Sequence, residues 1–234
     1  MTVRIVLLDA AHDDGHNRRN FRRELDADLV EFAATEGDLP ESFDFDGAVG
    51  TGSRASAYWE EPWIAETKAW VSDAIDAGVP MLGVCFGHQL LADVLGGDVE
   101  PMEDYEIGYR TIEHDGESPL LDGIDESFTA FTTHSDHVAD LPADVDVFAK
   151  NDYGVHGFRR GDVFAVQFHP EYDPESARDV TKGKDEVLSA ERIDRVLDGI
   201  TEENYQAACE AKQLFDNFTR YVRDQRATQA AADD

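Results

Sequence analysis

The stretch Val79-Pro-Met-Leu82-Gly83-Val-Cys85-Phe-Gly87-His-Gln89-Leu90-Leu91 constrains this chain more than any other. A short apolar run leads into a cysteine flanked by glycines, and an apolar helical pattern follows at once, so the segment spells buried strand, abrupt turn, helix. At such a turn the sulfur of Cys85 sits beside the first helical amides. A free cysteine ionises at about pH 8.5, and a helix N-terminus with a nearby imidazolium can lower that to roughly 3.5 to 7.5. Gly83 is expected to let the strained turn form, and Gly87 to keep side-chain bulk away from a substrate. The competing reading of a lone cysteine is a small buried core residue; the glycine-flanked turn favours a nucleophile.

A nucleophile needs a base, and Val163-Phe-Ala-Val-Gln-Phe168-His169-Pro170-Glu171 offers one. Six apolar or β-forming residues predict an interior strand, which carries His169 and Glu171 to its end beside a cleft. Residues two apart on an extended chain project to the same side, and Pro170 stiffens the link between them. His169 is then placed to take the thiol proton while Glu171 fixes the ring tautomer and stabilises the imidazolium. A histidine after a strand is otherwise a surface residue. The pairing of two strand-end motifs favours the triad Cys85, His169 and Glu171.

Gly83-Val-Cys85-Phe-Gly87-His-Gln89 together with Gln167-Phe-His169-Pro-Glu171 resembles the class I, triad-type glutamine amidotransferase domain, over about Val3 to Glu171. The resemblance implies an α/β fold, an open, mostly parallel sheet with helices on both faces, and hydrolysis of the glutamine side-chain amide through a γ-glutamyl thioester. Gly47-Ala-Val-Gly-Thr51-Gly52-Ser53 is similar to the loop whose amides complete the family's oxyanion hole. Gly52 and Ser53 are therefore expected to supply donors, with the Phe86 amide as the second. Many members carry Gly-Gly-Pro where this chain has Gly52-Ser53-Arg54, which leaves open which amide points inward. Gln89, four residues after Cys85, is expected by resemblance to contact the amino-acid end of the glutamine, and backbone groups of His134-Ser135-Asp136-His137-Val138 to help hold its carboxylate and amine.

The remaining pattern fits one domain of 234 residues. Val3–Asp9, Leu29–Ala33 and Gly47–Gly50 predict strands, and Asn17–Leu25 a helix. Trp63, Thr67, Trp70, Val71, Ala74 and Ile75 recur at helical spacing, so the two tryptophans are expected in the core. Ile107–Ile112, Ser127–Thr133, Val145–Ala149 and Val155–Phe158 predict a small antiparallel portion. Beyond Glu171 the polar stretch Asp173–Asp185 gives way to two predicted helices, one over Ile193–Ile200 and one over Tyr205–Val222, with Thr201 as an N-cap. Residues 173–210 look like a helical insertion, serving as packing, lid or partner surface. Residues 211–234 look like a closing helix with Ala227–Asp234 a frayed tail.

Acids outnumber bases 51 to 20, a net charge of -31, and five residues are lysine. Self-repulsion of that size is relieved by salt, so the composition resembles that of a halophile's protein. Arg18, Arg19, Arg22 and Arg23 form the one basic cluster, expected to pair with nearby acids. Nucleic acid is excluded by the charge, and a membrane span by the lack of a long apolar run, which together point to a cytoplasmic protein. Cys85 and Cys209 form no disulfide framework, and Cys209 is expected to be packing. His12-Asp-Asp-Gly-His16 lacks a clear third ligand, and no nucleotide-binding glycine motif occurs, so neither metal nor cofactor is expected. The expected partners are glutamine or another γ-glutamyl compound and a separate ammonia-accepting synthetase. A free-standing γ-glutamyl peptide hydrolase and a non-catalytic regulatory subunit are the alternatives.

Overall fold

Ile5, Val6, Leu7 and Leu8 are all buried, so the strand β1 (Arg4–Asp9) must be covered on both faces. In the computed structural model, which describes residues 2–12 and 15–232, it sits inside a nine-stranded sheet. It pairs in parallel with β2 (Asp28–Ala33) and β3 (Gly47–Gly50); β4 (Met81–Val84) and β9 (Val163–Val166) extend the parallel half. The other four strands, β5 (Asp98–His114), β6 (Ser127–Asp140), β7 (Asp146–Asn151) and β8 (Gly154–Arg160), join antiparallel, giving the order β2-β1-β3-β4-β9-β8-β7-β5-β6. β5 and β6 run past the predicted segments at one or both ends, because their outer stretches carry many charges and lack the apolar alternation that marks a strand.

Alternate residues of the parallel strands feed two cores. Ile5, Leu7, Val49 and Leu82 meet Phe21 and Leu25, at α1 (Gly15–Glu24), and Phe215, Phe218 and Val222 of α7 (Gln213–Ala232). Val6, Leu8, Ala48 and Met81 meet Trp63, Ile64, Trp70 and Val71 of α2 (Pro62–Asp76) and Leu90 and Leu91 of α3 (Phe86–Val94). Helices therefore cover both faces, and Trp63 and Trp70 are core residues as their spacing predicts. No helix among the described residues is long and apolar enough to cross a membrane.

The C-terminal third departs from expectation. The polar Asp173–Asp185 stretch contains a helix, α4 (Pro174–Lys182), because Asp173 caps it by accepting from the Ser176 amide at 2.8 Å and Pro174 occupies its first turn. α5 (Ala190–Gly199) and α6 (Glu202–Ala208) follow, the latter capped by Thr201, whose hydroxyl accepts from the Asn204 amide. The single helix expected over Tyr205–Val222 is broken by a 3-10 turn at Cys209–Lys212, and Cys209 is half-buried there. The tail expected to fray is helical to Ala232; the last two residues lie outside the described ones. Ala177, Leu188 and Ile200 pack with Ile107 and Phe131 in a third core, so residues 173–210 rest on β5 and β6. The basic cluster pairs with acids as expected: Arg19 and Arg23 both reach Asp173, which anchors α4 to α1.

Candidate active site

Cys85 stands between β4 and α3 with φ 54° and ψ -101°, the one non-glycine residue with positive φ among those described. Such a backbone costs on the order of 1–3 kcal/mol and persists only where its surroundings fix it. Three contacts fix it. The Cys85 amide donates to Val166 O at 2.9 Å, and the Gly87 amide donates to Thr51 O at 3.1 Å, tying the elbow to the ends of β9 and β3. The third is glycine clearance: a Cβ at Gly83 would lie 2.4 Å from Gly87 O, and one at Gly87 would lie 2.4 Å from Gly50 O. Gly87 thus serves close packing against β3, and the expectation that it clears space for substrate is corrected.

His169 follows β9, its amide donating to Phe131 O at 2.8 Å. Its Nδ1 donates to Glu171 Oε1 at 2.8 Å, and the ring stacks on Tyr172 with centroids 4.2 Å apart. Nε2 has no hydrogen-bond partner of standard geometry. Burial disfavours charge on the ring, yet the Cys85 thiolate and the Glu171 carboxylate outweigh it, and the pKa is pushed up to about 10. Cys85 and His169 line one cleft of about 490 Å³, so the two motifs, far apart in sequence, meet at one opening.

Gly52 and Ser53 also line this cleft. Among the described residues no carbonyl accepts from the amides of Gly52, Ser53 or Phe86, which leaves those donors free. The Phe86 ring turns inward against Trp63 with centroids 5.4 Å apart. Gly52 needs to be glycine here, because a Cβ would lie 2.9 Å from His169 Cε1. Its loop is pinned by contacts that sequence reasoning did not find. Asn17 donates to Asp9 and to Thr51 Oγ1, each at 2.8 Å, and Thr51 Oγ1 donates to Gly52 O at 3.2 Å.

Gln89, Ser135 and Asp136, expected at the amino-acid end of glutamine, are not among the residues that line this cleft. Gln89 is 3% exposed, and its amide donates to Asp136 O and to Gln167 Oε1, both at 3.1 Å. The Asp136 carboxylate accepts from Ser56 at 2.6 Å and from Tyr58 at 3.1 Å, and Ser135 points to solvent on β6. The Gln89 side-chain nitrogen and the Asp136 carboxylate are thus paired within the protein. The cleft gains instead Arg54, Thr133, Tyr172, Val180 and Lys184. Lys184 had a signal, being one of only five lysines.

Behind the cleft lies a buried ionic cluster. Glu106 Oε2 is 2.6 Å from His134 Nε2 and 3.1 Å from His156 Nε2, and Oε1 accepts from Asn151 at 2.6 Å. The oxygen and two nitrogens lie within 4.8 Å of one another, a donor set that a metal ion can use, but their spacings are those of hydrogen bonds. In this form the cluster ties β5, β6 and β8 together. Of the His12–His16 stretch, Asp13 and Asp14 lie outside the described residues, and His16 pairs with Asp179 at 3.2 Å.

Known proteins resemble this chain in sequence and in fold. A GMP synthase (glutamine-hydrolyzing) from Caldicellulosiruptor saccharolyticus is 34% identical over 128 residues, covering 53% of this chain and 24% of that protein. A Burkholderia vietnamiensis protein of the same name is 38% identical over 133 residues, again 24% of its length, so the chain spans about a quarter of these relatives. A glutamine amidotransferase structure from Thermotoga maritima superposes with a TM-score of 0.78 at 20% identity, covering 94% of this chain and 99% of that one. A putative GMP synthase subunit from Thermoplasma acidophilum gives 0.70 at 20% identity, with 98% of each chain covered; both likenesses concern the fold. The family model for Glutamine amidotransferase class-I matches residues 48–183, and the chain belongs to that family.

Proposed function

We propose that the protein is a glutaminase subunit: it hydrolyses the side-chain amide of glutamine at Cys85 and passes the ammonia to a separate acceptor enzyme. The observation that carries this reading is the strained Cys85 elbow sharing one cleft with the His169–Glu171 pair. The Cys85 thiolate attacks the amide carbon of glutamine, and the carbonyl π electrons move onto oxygen. The free amides of Phe86 and of Gly52 or Ser53 receive that oxyanion. Collapse expels the nitrogen, which takes the proton of the His169 imidazolium and leaves as ammonia, with a γ-glutamyl thioester behind. Neutral His169 then takes a proton from water as its oxygen attacks the thioester; the C–S bond breaks, releasing glutamate and the thiolate. Glu171 holds Nδ1–H throughout, so Nε2 is the atom that exchanges protons.

A synthetase as acceptor rests on relatives named GMP synthase and on the Thermoplasma protein named as a putative subunit of one. Measuring glutamate release with purified protein tests the chemistry. Cys85→Ala and Cys85→Ser should abolish release, and a glutamine-analogue electrophile should add its mass at Cys85 alone. Turnover of Cys85→Ala at the parent rate would sink the proposal. Running γ-glutamyl dipeptides in the same assay separates this activity from that of a γ-glutamyl peptide hydrolase with the same triad. Co-purification from the native host identifies the acceptor.

A further inference from the structure

We infer that the groove between β5 and α5 is a second binding site, one that takes the phosphate group of a small molecule. The sheet itself makes the opening. β7 pairs with β5 only at Glu113 and His114, so the edge of β5 from Asp104 to Ile112 has no strand beside it. α5 lies along that edge instead, leaving a groove of about 940 Å³. Arg110 and α5 meet over Gly108, where an added Cβ would lie 3.6 Å from Arg110 Nη1 and 3.8 Å from Val196 Cγ1. The groove shares no lining residue with the Cys85 cleft and is a separate site from it.

In a chain where acids outnumber bases 51 to 20, this groove is lined by three arginines, Arg110, Arg192 and Arg195, against one carboxylate, Asp104. Arg192 and Arg195 stand three apart on α5 and share a face. Arg192 is fixed in place, donating to Asp104 Oδ1 at 2.6 Å and to Tyr105 O. Arg110 Nη1 donates to Tyr109 O at 3.2 Å, and its Nε stands 3.9 Å from Glu106, whose oxygens are already held by His134, His156 and Asn151. Arg110 Nη2 and the whole Arg195 guanidinium make no hydrogen bond or ion pair among the described residues. Tyr109 and Tyr153 add hydroxyls to the lining, and burial pushes Tyr109 up to about 12, which keeps it protonated as a donor. Guanidinium forks match the oxygens of a phosphate in pairs, and a dianion offsets the positive charge that Asp104 leaves over. The groove is larger than a bare phosphate needs, and the two tyrosine rings line the room left for an organic group. An added peptide strand fits worse, because the carbonyls of Tyr105 and Tyr109 on this edge already accept from Arg192 and Arg110.

Calorimetric titration of the full chain tests this, in potassium chloride at the lowest concentration that keeps it folded, so that screening of the groove is least. The probes are adenosine monophosphate, inorganic phosphate, adenosine and succinate. Adenosine monophosphate should bind, inorganic phosphate should compete with it, and adenosine should not bind. Arg195→Ala and Arg110→Ala should each weaken Kd for adenosine monophosphate by about tenfold or more, as loss of a charge-assisted hydrogen bond implies. Arg195 is exposed, so its truncation tests the site without disturbing the core. Arg110→Lys, which keeps the charge and loses the fork, should also weaken binding, and it stands in if Arg110→Ala does not fold. Arg54→Ala, in the Cys85 cleft, should leave this affinity unchanged. Titration needs no turnover, so its failure and failure of the proposed chemistry are read separately. No binding of either phosphate compound, or succinate bound as tightly as adenosine monophosphate, overturns the inference. So does a loss with Arg54→Ala and none with Arg195→Ala, which puts the anion in the Cys85 cleft.

Discussion

At the scale of single residues, charge on His169 is the variable that the rest of the site controls. The ring is buried, which opposes protonation, but the thiolate and the Glu171 carboxylate raise its pKa to about 10. A raised folded-state pKa contributes stability that is fully present below the unfolded value of about 6.5 and is lost as pH rises through the folded one. In the proposed reaction the same charge supplies the proton for departing ammonia. Glutaminase kcat/KM should therefore fall on the alkaline side as pH approaches about 10. Glu171→Gln removes one of the two anions and should move that limb to lower pH; a pH–rate profile with an unmoved limb would show that Glu171 does not govern the ring. Gly83 is the second residue whose identity is fixed by contact. A methyl there meets backbone at 2.4 Å, so Gly83→Ala should destabilise by about 3 kcal/mol or more, read as a lower urea midpoint with unchanged slope.

Between elements, the Glu106 cluster joins β5, β6 and β8 behind the cleft. Burial favours the neutral acid, but hydrogen bonds from His134 and His156 outweigh it and bring Glu106 down to about 2. The sign is opposite to that of His169: a depressed carboxyl contributes stability present above its unfolded pKa of about 4.3 and lost as pH falls through about 2. Removing one partner of a buried ionic group costs about 3–5 kcal/mol, so Glu106→Gln should lower the unfolding free energy at pH 7 by that amount, read as a lower urea midpoint, and flatten the acid limb of stability. A loss no larger at pH 7 than at pH 3 would show that the charge is not what matters. The cluster also sits next to Thr133, whose carbonyl is 3.9 Å from the Cys85 sulfur, so damage here reaches the site through β6.

For the whole molecule, -31 charges on 234 residues set the conditions for folding. Exposed repulsion is screened within about 10 Å at 0.1 M salt and about 3 Å at 1 M. Thermal unfolding should therefore shift upward from dilute buffer to molar potassium chloride, with each kcal/mol of relieved repulsion raising Tm by about 2–4 °C for a chain this long. A Tm that is flat or falls over that range would remove charge repulsion as the main term. Residues 173–210 act at this scale too. They close the third core on β5 and β6 and also send Val180 and Lys184 to the cleft, so packing and site wall are the same structure.

The Cys85 turn, the His169–Glu171 strand end and the parallel half of the sheet were legible in the sequence because each is written within a short window. A buried strand ending in a glycine-flanked cysteine, a strand ending in His169-Pro-Glu171 and a helix starting at Thr201 are all local patterns with local physical causes. α4 was not legible, because a polar helix held by one aspartate cap and two arginines from α1 has no apolar stripe to announce it. Only the tertiary structure decided that the Gln89 side-chain nitrogen and the Asp136 carboxylate bond to protein partners, that Arg54 and Lys184 line the Cys85 cleft, and that Glu106 gathers two histidines. Each of those depends on which distant side chain arrives at hydrogen-bond or charge-contact distance, and sequence spacing carries no such distance once the chain has turned back on itself.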